Sequence, residues 1–167
     1  MPEASATMAD FILRKNKGDV MGNLPLSFNT YNVVFVNITQ SYGKLKNRRE
    51  CGLPPVKGRE NIYECTRKYW SLSKEHADRA DYIAGCFDVG MENFKIISVY
   101  QFADTKKWMK VRYCPELADD EEVQENSGYM ERFAFKGMKP PSREIQELFV
   151  GHFVDFSFGR KPVRYSF

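Results

Sequence analysis

The stretch from Tyr63 to Trp70 carries the residue types best suited to binding or chemistry. Its eight residues, YECTRKYW, include three aromatic side chains, two cations, one carboxylate and one hydroxyl. A planar ligand such as a nucleobase is held by an aromatic stacking face, a guanidinium and short polar groups that reach its edge. The segment therefore predicts a binding pocket lined by Tyr63, Glu64, Thr66, Arg67 and Trp70.

Two other interpretations of this segment compete with the pocket. In the first, Trp70 is buried in the core and Glu64 pairs with Arg67, since large aromatic side chains are buried on average. In the second, Glu64 beside Arg67 is the general acid or base of a nuclease or base-processing enzyme. A single carboxylate is weak support for catalysis, so the sequence favours binding without a reaction.

Basic residues elsewhere in the chain predict contacts with phosphate groups. The chain has 25 Lys and Arg against 22 Asp and Glu, and residues 116–125 hold six of the acids and no base, which leaves a strongly basic remainder. Such a surface is compatible with a polyanionic partner, either DNA or RNA. The cations expected to form a rim for phosphates are Lys44, Lys46, Arg48, Arg49, Arg160 and Lys161, and the C-terminal residues expected to add to the pocket are Arg164 and Tyr165.

Hydrophobic patterning places these residues on a mixed α+β fold. Short helices are predicted after the N-cap residues Ser73 and Ser142, and Gly85 predicts a bulge or a close backbone approach. Residues 39–61 combine KLKNRR with three Gly and two Pro, which predicts a long basic loop. Strands are predicted at 31–38, 82–87, 94–102, 108–113, 131–135 and 162–165, with further alternation of apolar residues over 153–158.

The number of strands on a short chain favours a closed or nearly closed β-barrel with two or three short helices, because closure removes exposed edges. Residues 1–28 are weakly patterned and are expected to be a partly ordered arm. Residues 29–167 are expected to form one domain with insertions at about 43–61 and 114–130. No apolar run reaches the roughly 18 residues of a membrane span, and a soluble, cytoplasmic protein is expected.

The order of the motifs resembles small phage and bacterial modules that accompany nuclease and restriction-associated genes. The motifs are YECTRKYW at 63–70, RFAFKG at 132–137, EIQELFVG at 144–151 and PVRY at 162–165. Their layout is similar to the PUA-like superfamily of small barrels, which includes the EVE, YTH and ASCH domains, over residues 31–38 and 62–167. The resemblance implies a nucleic-acid-binding module that holds an extruded or modified base in an aromatic pocket. The G-x-K-x-x-E-x-R pattern of ASCH proteins is absent.

The acidic segment at 116–125 supports a third alternative. Its carboxylates would mimic phosphates, and the protein would be a phage-encoded inhibitor that contacts a host nucleic-acid enzyme. Binding of Mg²⁺ by residues 119–122 is less favoured, because runs of like charge are usually solvated. The chain has two His, and its four Cys form no C-x-x-C pair, so reduced thiols and no metal or cofactor are expected.

Overall fold

A four-stranded sheet forms the centre of the protein. The computed structural model describes residues 31–103, 107–112, 122–128 and 132–167. The strands of the sheet, in spatial order, are β3 (Phe94–Gln101), β2 (Tyr82–Asp88), β1 (Val33–Asn37) and β6 (Val163–Tyr165). Strand β1 pairs parallel with β2 and antiparallel with β6, and β2 pairs antiparallel with β3. A second sheet pairs β4 (Trp108–Lys110) with β5 (Phe133–Phe135), antiparallel.

In the described residues, four helices connect and cover the strands. They are α1 (Thr39–Glu50), α2 (Ile62–Arg67), α3 (Lys74–Arg79) and α4 (Arg143–Phe149). The first three lie between β1 and β2, which is the long crossover that a parallel strand pair requires. The predicted N-caps of α3 and α4 are confirmed: Ser73 Oγ accepts from the backbone N–H of His76, and Ser142 Oγ accepts from that of Ile145.

The central strand is buried on both faces, as its unbroken run of β-branched and aromatic residues predicts. Val34 and Val36 point to one side, where α3 and the small sheet pack, and Val33 and Phe35 point to the other, where α4 packs. The two sets alternate along β1 because successive side chains of a strand leave on opposite faces. The two cores therefore hold β1 rigidly, and its last residue, Asn37, has a fixed position.

The prediction of a loop over 39–61 is wrong for its first half. Residues 39–50 form α1, a helix of 12 residues, and only the remainder connects to α2. The helix lacks an apolar stripe, because Leu45 is its one buried residue. Helical periodicity could not reveal it for that reason.

The mixed α+β class is confirmed, whereas closure into a barrel is not observed in the described residues. The strands form separate sheets of four and two strands. The outer edge of β3 is covered instead: Ile96 donates to the carbonyl of His152 at 2.8 Å and Val154 donates to that of Phe94 at 3.0 Å. Covering an edge with a neighbouring segment protects it as closure would. The predicted alternation at 153–158 belongs to this covering segment, where Phe153 forms one isolated bridge to Lys95 rather than a strand.

Several smaller expectations have clear outcomes. The described cysteines, Cys51, Cys65 and Cys86, are free thiols. None of the helices in the described ranges is long and apolar enough to cross a membrane. The predicted arm at 1–28 and most of the predicted insertion at 114–130 lie outside the described residues.

Candidate functional site

A cleft of about 570 Å³ opens at the end of the central sheet, where β1 stops and α1 begins. Its volume lies within the range of ligand sites, roughly 300–1,000 Å³. Among the described residues that line it there are four cations and two large aromatic rings, and no Asp or Glu. The cations are Arg59, Lys68, Arg132 and Arg160, and the rings belong to Tyr69 and Trp70. This lining suits an anionic ligand that has a planar part.

The junction between β1 and α1 forms one wall of the cleft. Asn37 Oδ1 accepts from the backbone N–H of Thr39 at 3.1 Å and from its hydroxyl at 2.6 Å, so the amide N–H₂ is the part of Asn37 that can bind a ligand. Gln40 and Ser41, in the first turn of α1, also line the cleft. Because a helix N-terminus carries partial positive charge, this wall adds to the attraction for an anion.

Arg59 and Tyr69 meet in another part of the lining. The Arg59 guanidinium lies 5.3 Å from the centroid of the Tyr69 ring, a cation–π contact. The Nε atom of Arg59 is shielded from solvent and has no hydrogen-bond partner in the described part of the chain. A shielded donor without an acceptor is unfavourable, so this guanidinium is prepared to bind an acceptor that enters the cleft.

The charge of Lys68, one of the cleft cations, is balanced at close range by Glu64. Its side chain is 3% exposed, and its Nζ lies 3.0 Å from Glu64 Oε2. Glu64 also accepts from Arg67 Nε at 2.9 Å, and Arg67 donates from Nη1 to the carbonyl of Phe135. Neither Glu64 nor Arg67 lines the cleft. The pairing of Glu64 with Arg67, the first of the competing interpretations, is therefore what the structure has.

Trp70 belongs mainly to the core. It is 6% exposed, and its indole Nε1 donates to the carbonyl of Thr66 at 2.8 Å. Its backbone exchanges two hydrogen bonds with Phe133, which ties it to the small sheet. Trp70 lines the cleft and Arg67 does not, so the two side chains predicted to share a pocket do not both line this one. The chain becomes extended at Lys68, immediately after α2.

The other residues predicted from this segment lie outside the cleft lining. The Tyr63 hydroxyl is 3.5 Å from the carbonyl of Met138, and its ring packs edge-on against Tyr100. Thr66 is fully buried, and its hydroxyl donates to the carbonyl of Ile62 at 2.7 Å. Both residues hold α2 against the strands.

Of the four predicted C-terminal residues, only Arg160 lines the cleft. Lys161 is exposed and lies beside it in the chain. Arg164 donates to the carbonyl of Ser157 at 2.7 Å and packs over the Phe156 ring. Tyr165 accepts from the backbone N–H of Ser73 and stacks on His76, and burial raises the pKa of its phenol.

The cations of the predicted basic cluster at 44–49 lie on different faces of α1. Lys44 follows Gln40 by four residues and Ser41 by three, so it lies on the face of α1 that lines the cleft. Arg48 continues that face and donates from Nε to the carbonyl of Pro54. Lys46 lies on the opposite face, with its Nζ 6.0 Å from the centroid of the Phe87 ring. Arg49, the fourth cation of the cluster, is exposed near the end of the helix.

Sequence reasoning missed most of the cleft. Asn37, Arg59, Lys68, Tyr69 and Arg132 line it without having been predicted as site residues. Lys68 and Tyr69 fall inside the predicted segment 63–70, and of the residues predicted from that segment Trp70 alone lines this cleft. No sequence pattern around Arg132 indicates a binding residue. Its Nη1 donates to Ser71 Oγ at 3.0 Å, although the two residues are far apart in sequence.

Titratable groups near the cleft are mostly unsuited to catalysis. Burial raises the pKa of the Cys65 thiol, although the nearby charge of Arg59 acts in the opposite direction. The thiol is therefore protonated at neutral pH and is a poor nucleophile. Away from the cleft lining, beside the outer edge of β3, burial lowers the pKa of His152, which keeps that imidazole neutral near pH 7. Within the described ranges, no three His, Cys, Asp or Glu residues are grouped so that they could hold a metal ion.

Comparisons with protein-family models, with curated proteins and with solved structures found no match to this chain.

Proposed function

We propose that this protein is a nucleic-acid-binding module that takes one nucleotide of a strand into the cleft. The observation that carries this function is the lining itself, where four cations and the Tyr69 ring surround a volume of about 570 Å³ without a carboxylate among the described lining residues. Aromatic rings and cations interleaved in one groove are the usual means of holding a single strand.

Each part of the lining has a task in this mechanism. Arg59 and Arg160 attract the phosphate group, an interaction that weakens with salt. The base stacks against Tyr69, which Arg59 holds in place through the cation–π contact. The amide N–H₂ of Asn37 donates to an acceptor on the edge of the base. A base that is modified or already unpaired enters most easily, because extrusion from a duplex costs a few kcal/mol.

The strand continues along the cleft-facing side of α1. Lys44 is exposed on that side, and Arg48 lies one turn further along the helix. These two cations would contact the next phosphates of the strand. Contacts of this kind position the backbone and carry no sequence information.

The enzyme alternative has less support, because the carboxylate of Glu64 is held between Arg67 and Lys68 and does not line the cleft. The inhibitor alternative depends on residues 116–125, most of which lie outside the described part of the chain. Membership of the PUA-like superfamily and a closed barrel stay predictions, and binding in the cleft requires neither.

Fluorescence anisotropy with labelled single-stranded DNA, single-stranded RNA and duplex DNA of about 12 nucleotides, within the footprint of strand-binding modules, tests this function. We expect Tyr69→Leu to weaken binding by about 10-fold or more, since stacking contributes about 1–3 kcal/mol per base. Arg160→Ala should weaken it severalfold. Arg143→Ala is the matched control, because it removes an exposed cation outside the cleft, and its affinity should stay within about twofold of the wild type.

Two outcomes would contradict nucleic-acid binding in the cleft. One is a wild-type protein that binds none of the three probes at low salt. The other is an equal loss of affinity in Arg160→Ala and Arg143→Ala, which would indicate attraction by overall charge. Incubation of the same probes with Mg²⁺ or EDTA distinguishes the enzyme alternative, because cleavage would be visible as shortened product.

A further inference from the structure

The cleft contains more unbalanced positive charge than an internal phosphate of a strand requires. Arg59 and Arg160 form no ion pair with an Asp or Glu in the described ranges, whereas Lys68 is balanced by Glu64 at 3.0 Å. Two guanidinium charges thus face a half-enclosed space at the end of the sheet. An internal phosphodiester brings a single negative charge to such a site, while a phosphate monoester brings about 1.5 to 2 at pH 7.

We propose that the cleft binds the terminal phosphate of a nucleic-acid strand. This inference rests on the proposed function and names the part of the strand that the cleft selects. A terminal phosphate matches the two guanidinium charges, and a chain end enters a half-enclosed cleft more easily than a strand that must enter and leave.

The donor geometry of Arg59 supports the same ligand. A guanidinium binds phosphate through a fork of two parallel N–H groups, and Nε is one arm of that fork. In Arg59 this Nε is shielded from solvent and lacks a partner among the described residues, so a small movement of the side chain that brings it to a phosphate oxygen would supply the acceptor it lacks. The cation–π contact with Tyr69 keeps the guanidinium in the cleft lining. A monoester offers three terminal oxygens, compared with two in a diester, to satisfy this fork together with Arg160.

Neighbouring polar groups add further donors. The backbone N–H groups of Gln40 and Ser41, in the first turn of α1, have no acceptor in the described part of the chain. The amide N–H₂ of Asn37 lies at the same junction. These donors carry no formal charge, so they favour an oxyanion without adding repulsion between cations.

The experiment compares the affinities of the protein for one strand that carries different terminal groups. A single-stranded DNA oligonucleotide of fixed sequence is prepared with a 5′-phosphate, with a 3′-phosphate and with hydroxyl groups at both ends, and the label is placed on an internal base. We expect one phosphorylated form to bind at least about tenfold more tightly than the hydroxyl form. A nucleoside monophosphate should compete with the phosphorylated strand, which tests whether the phosphate and one base suffice.

Variants then assign the selection to Arg59. Arg59→Lys keeps the charge and removes the fork, and it should reduce the preference for the phosphorylated end to less than about threefold. Lys57→Gln, in the same loop and outside the cleft lining, should retain the full preference. Arg160→Gln changes an exposed side chain, so its reduced preference would be independent of any folding defect in Arg59→Lys.

The negative results of this experiment distinguish selection of the chain end from nucleic-acid binding in the cleft. Equal affinity for the phosphorylated and hydroxyl strands would overturn selection of the chain end and leave nucleic-acid binding intact. Full preference in both Arg59→Lys and Arg160→Gln would also overturn it, since the selection would then lie elsewhere. Absence of binding to every strand would overturn the proposed function itself.

Discussion

Gly85 stands where β2, β3 and α2 come closest together. A Cβ atom at this position would clash with Ser98 Oγ and would lie 2.9 Å from Ile38 Cδ1 and 3.0 Å from Thr66 Oγ1. The pairing of β2 with β3 also shifts register between Gly85 and Cys86. The sequence-based expectation of a bulge or a close approach is confirmed in both respects.

Gly85→Ala should therefore lower the free energy of unfolding by about 2–3 kcal/mol, because overpacking a tight core forces its neighbours to shift. Urea denaturation followed by circular dichroism measures the change. Gly128→Ala is the control, since a Cβ there meets nothing within 4 Å, and it should change stability by less than about 0.5 kcal/mol. Similar losses in both variants would contradict the packing seen around Gly85.

Glu64 stabilises the folded protein by pairing with two cations. It binds Arg67 and also Lys68, whose side chain is 3% exposed. Glu64→Gln would remove the carboxylate that pairs with this shielded ammonium, and we expect a loss of about 2–3 kcal/mol in the free energy of unfolding, toward the lower end for a pair that is not fully buried.

The matched control is Glu147→Gln, which breaks the exposed pair between Glu147 and Arg143. The two side chains of that pair are 62% and 91% exposed. Its loss should be below about 1 kcal/mol in the same urea experiment. Equal effects of the two substitutions would show that Lys68 is better solvated than the structure indicates.

At the scale of elements, α1 determines where the cleft lies. Its start is fixed by Asn37, which accepts from Thr39, and its own N-cap residue, Ile38, makes no side-chain cap. The helix thus starts directly at the end of a buried strand, and the side chain of Asn37 takes the place of an N-cap. Its orientation then brings Gln40, Ser41 and Lys44 to one side.

The helical state of residues 39–50 can be tested through a glycine. Gly43 lies within α1, and a Cβ there would be 3.6 Å from Phe87 Cε1, an ordinary contact. Gly43→Ala should raise the free energy of unfolding by about 0.5–1 kcal/mol, because alanine is the better helix former.

Gly52→Ala is the contrasting variant for the same measurement. Gly52 follows α1 and has φ of +70°, a conformation that favours glycine. This substitution should lower stability by about 1 kcal/mol. A loop over 39–50 would give no stabilisation in Gly43→Ala, and that result would contradict the helix.

At the scale of the whole molecule, α1 determines which of its exposed cations lie on the side of the cleft. Lys44 and Lys46 are both exposed and are two residues apart, yet they lie on opposite faces of the helix. Only Lys44 shares a face with cleft-lining residues, whereas Lys46 lies toward Phe87. The two lysines are therefore a matched pair for testing which side of the molecule meets the strand.

We expect Lys44→Ala to reduce the slope of log K against log salt concentration by about 0.7 for a single strand, the value for one lost phosphate contact. Lys46→Ala should leave the slope unchanged. Anisotropy titrations at several salt concentrations measure both. Equal slopes for the two variants would place the strand away from the cleft-facing side of α1.

The elements with strong local patterns were predictable from the sequence. The run of apolar residues in β1 indicated a strand buried on both faces, and Ser73 and Ser142 marked the starts of α3 and α4. These signals are local, since they depend on side-chain alternation and on caps within one turn. Helix α1 was not predicted because Leu45 is its one buried residue and its N-cap residue, Ile38, makes no side-chain cap.

The composition of the cleft was decided by tertiary structure alone. The sequence indicated that cations and aromatic rings near residues 63–70 matter, but Trp70 turned into the core and Arg67 to the carbonyl of Phe135. Arg59, Tyr69 and Arg160 meet because a connecting loop, an extended turn and the approach to β6 converge at one end of the sheet. Residue types and their spacing determine which kinds of ligand a chain could bind. The packing of segments that are distant in sequence determines which side chains lie together in one site.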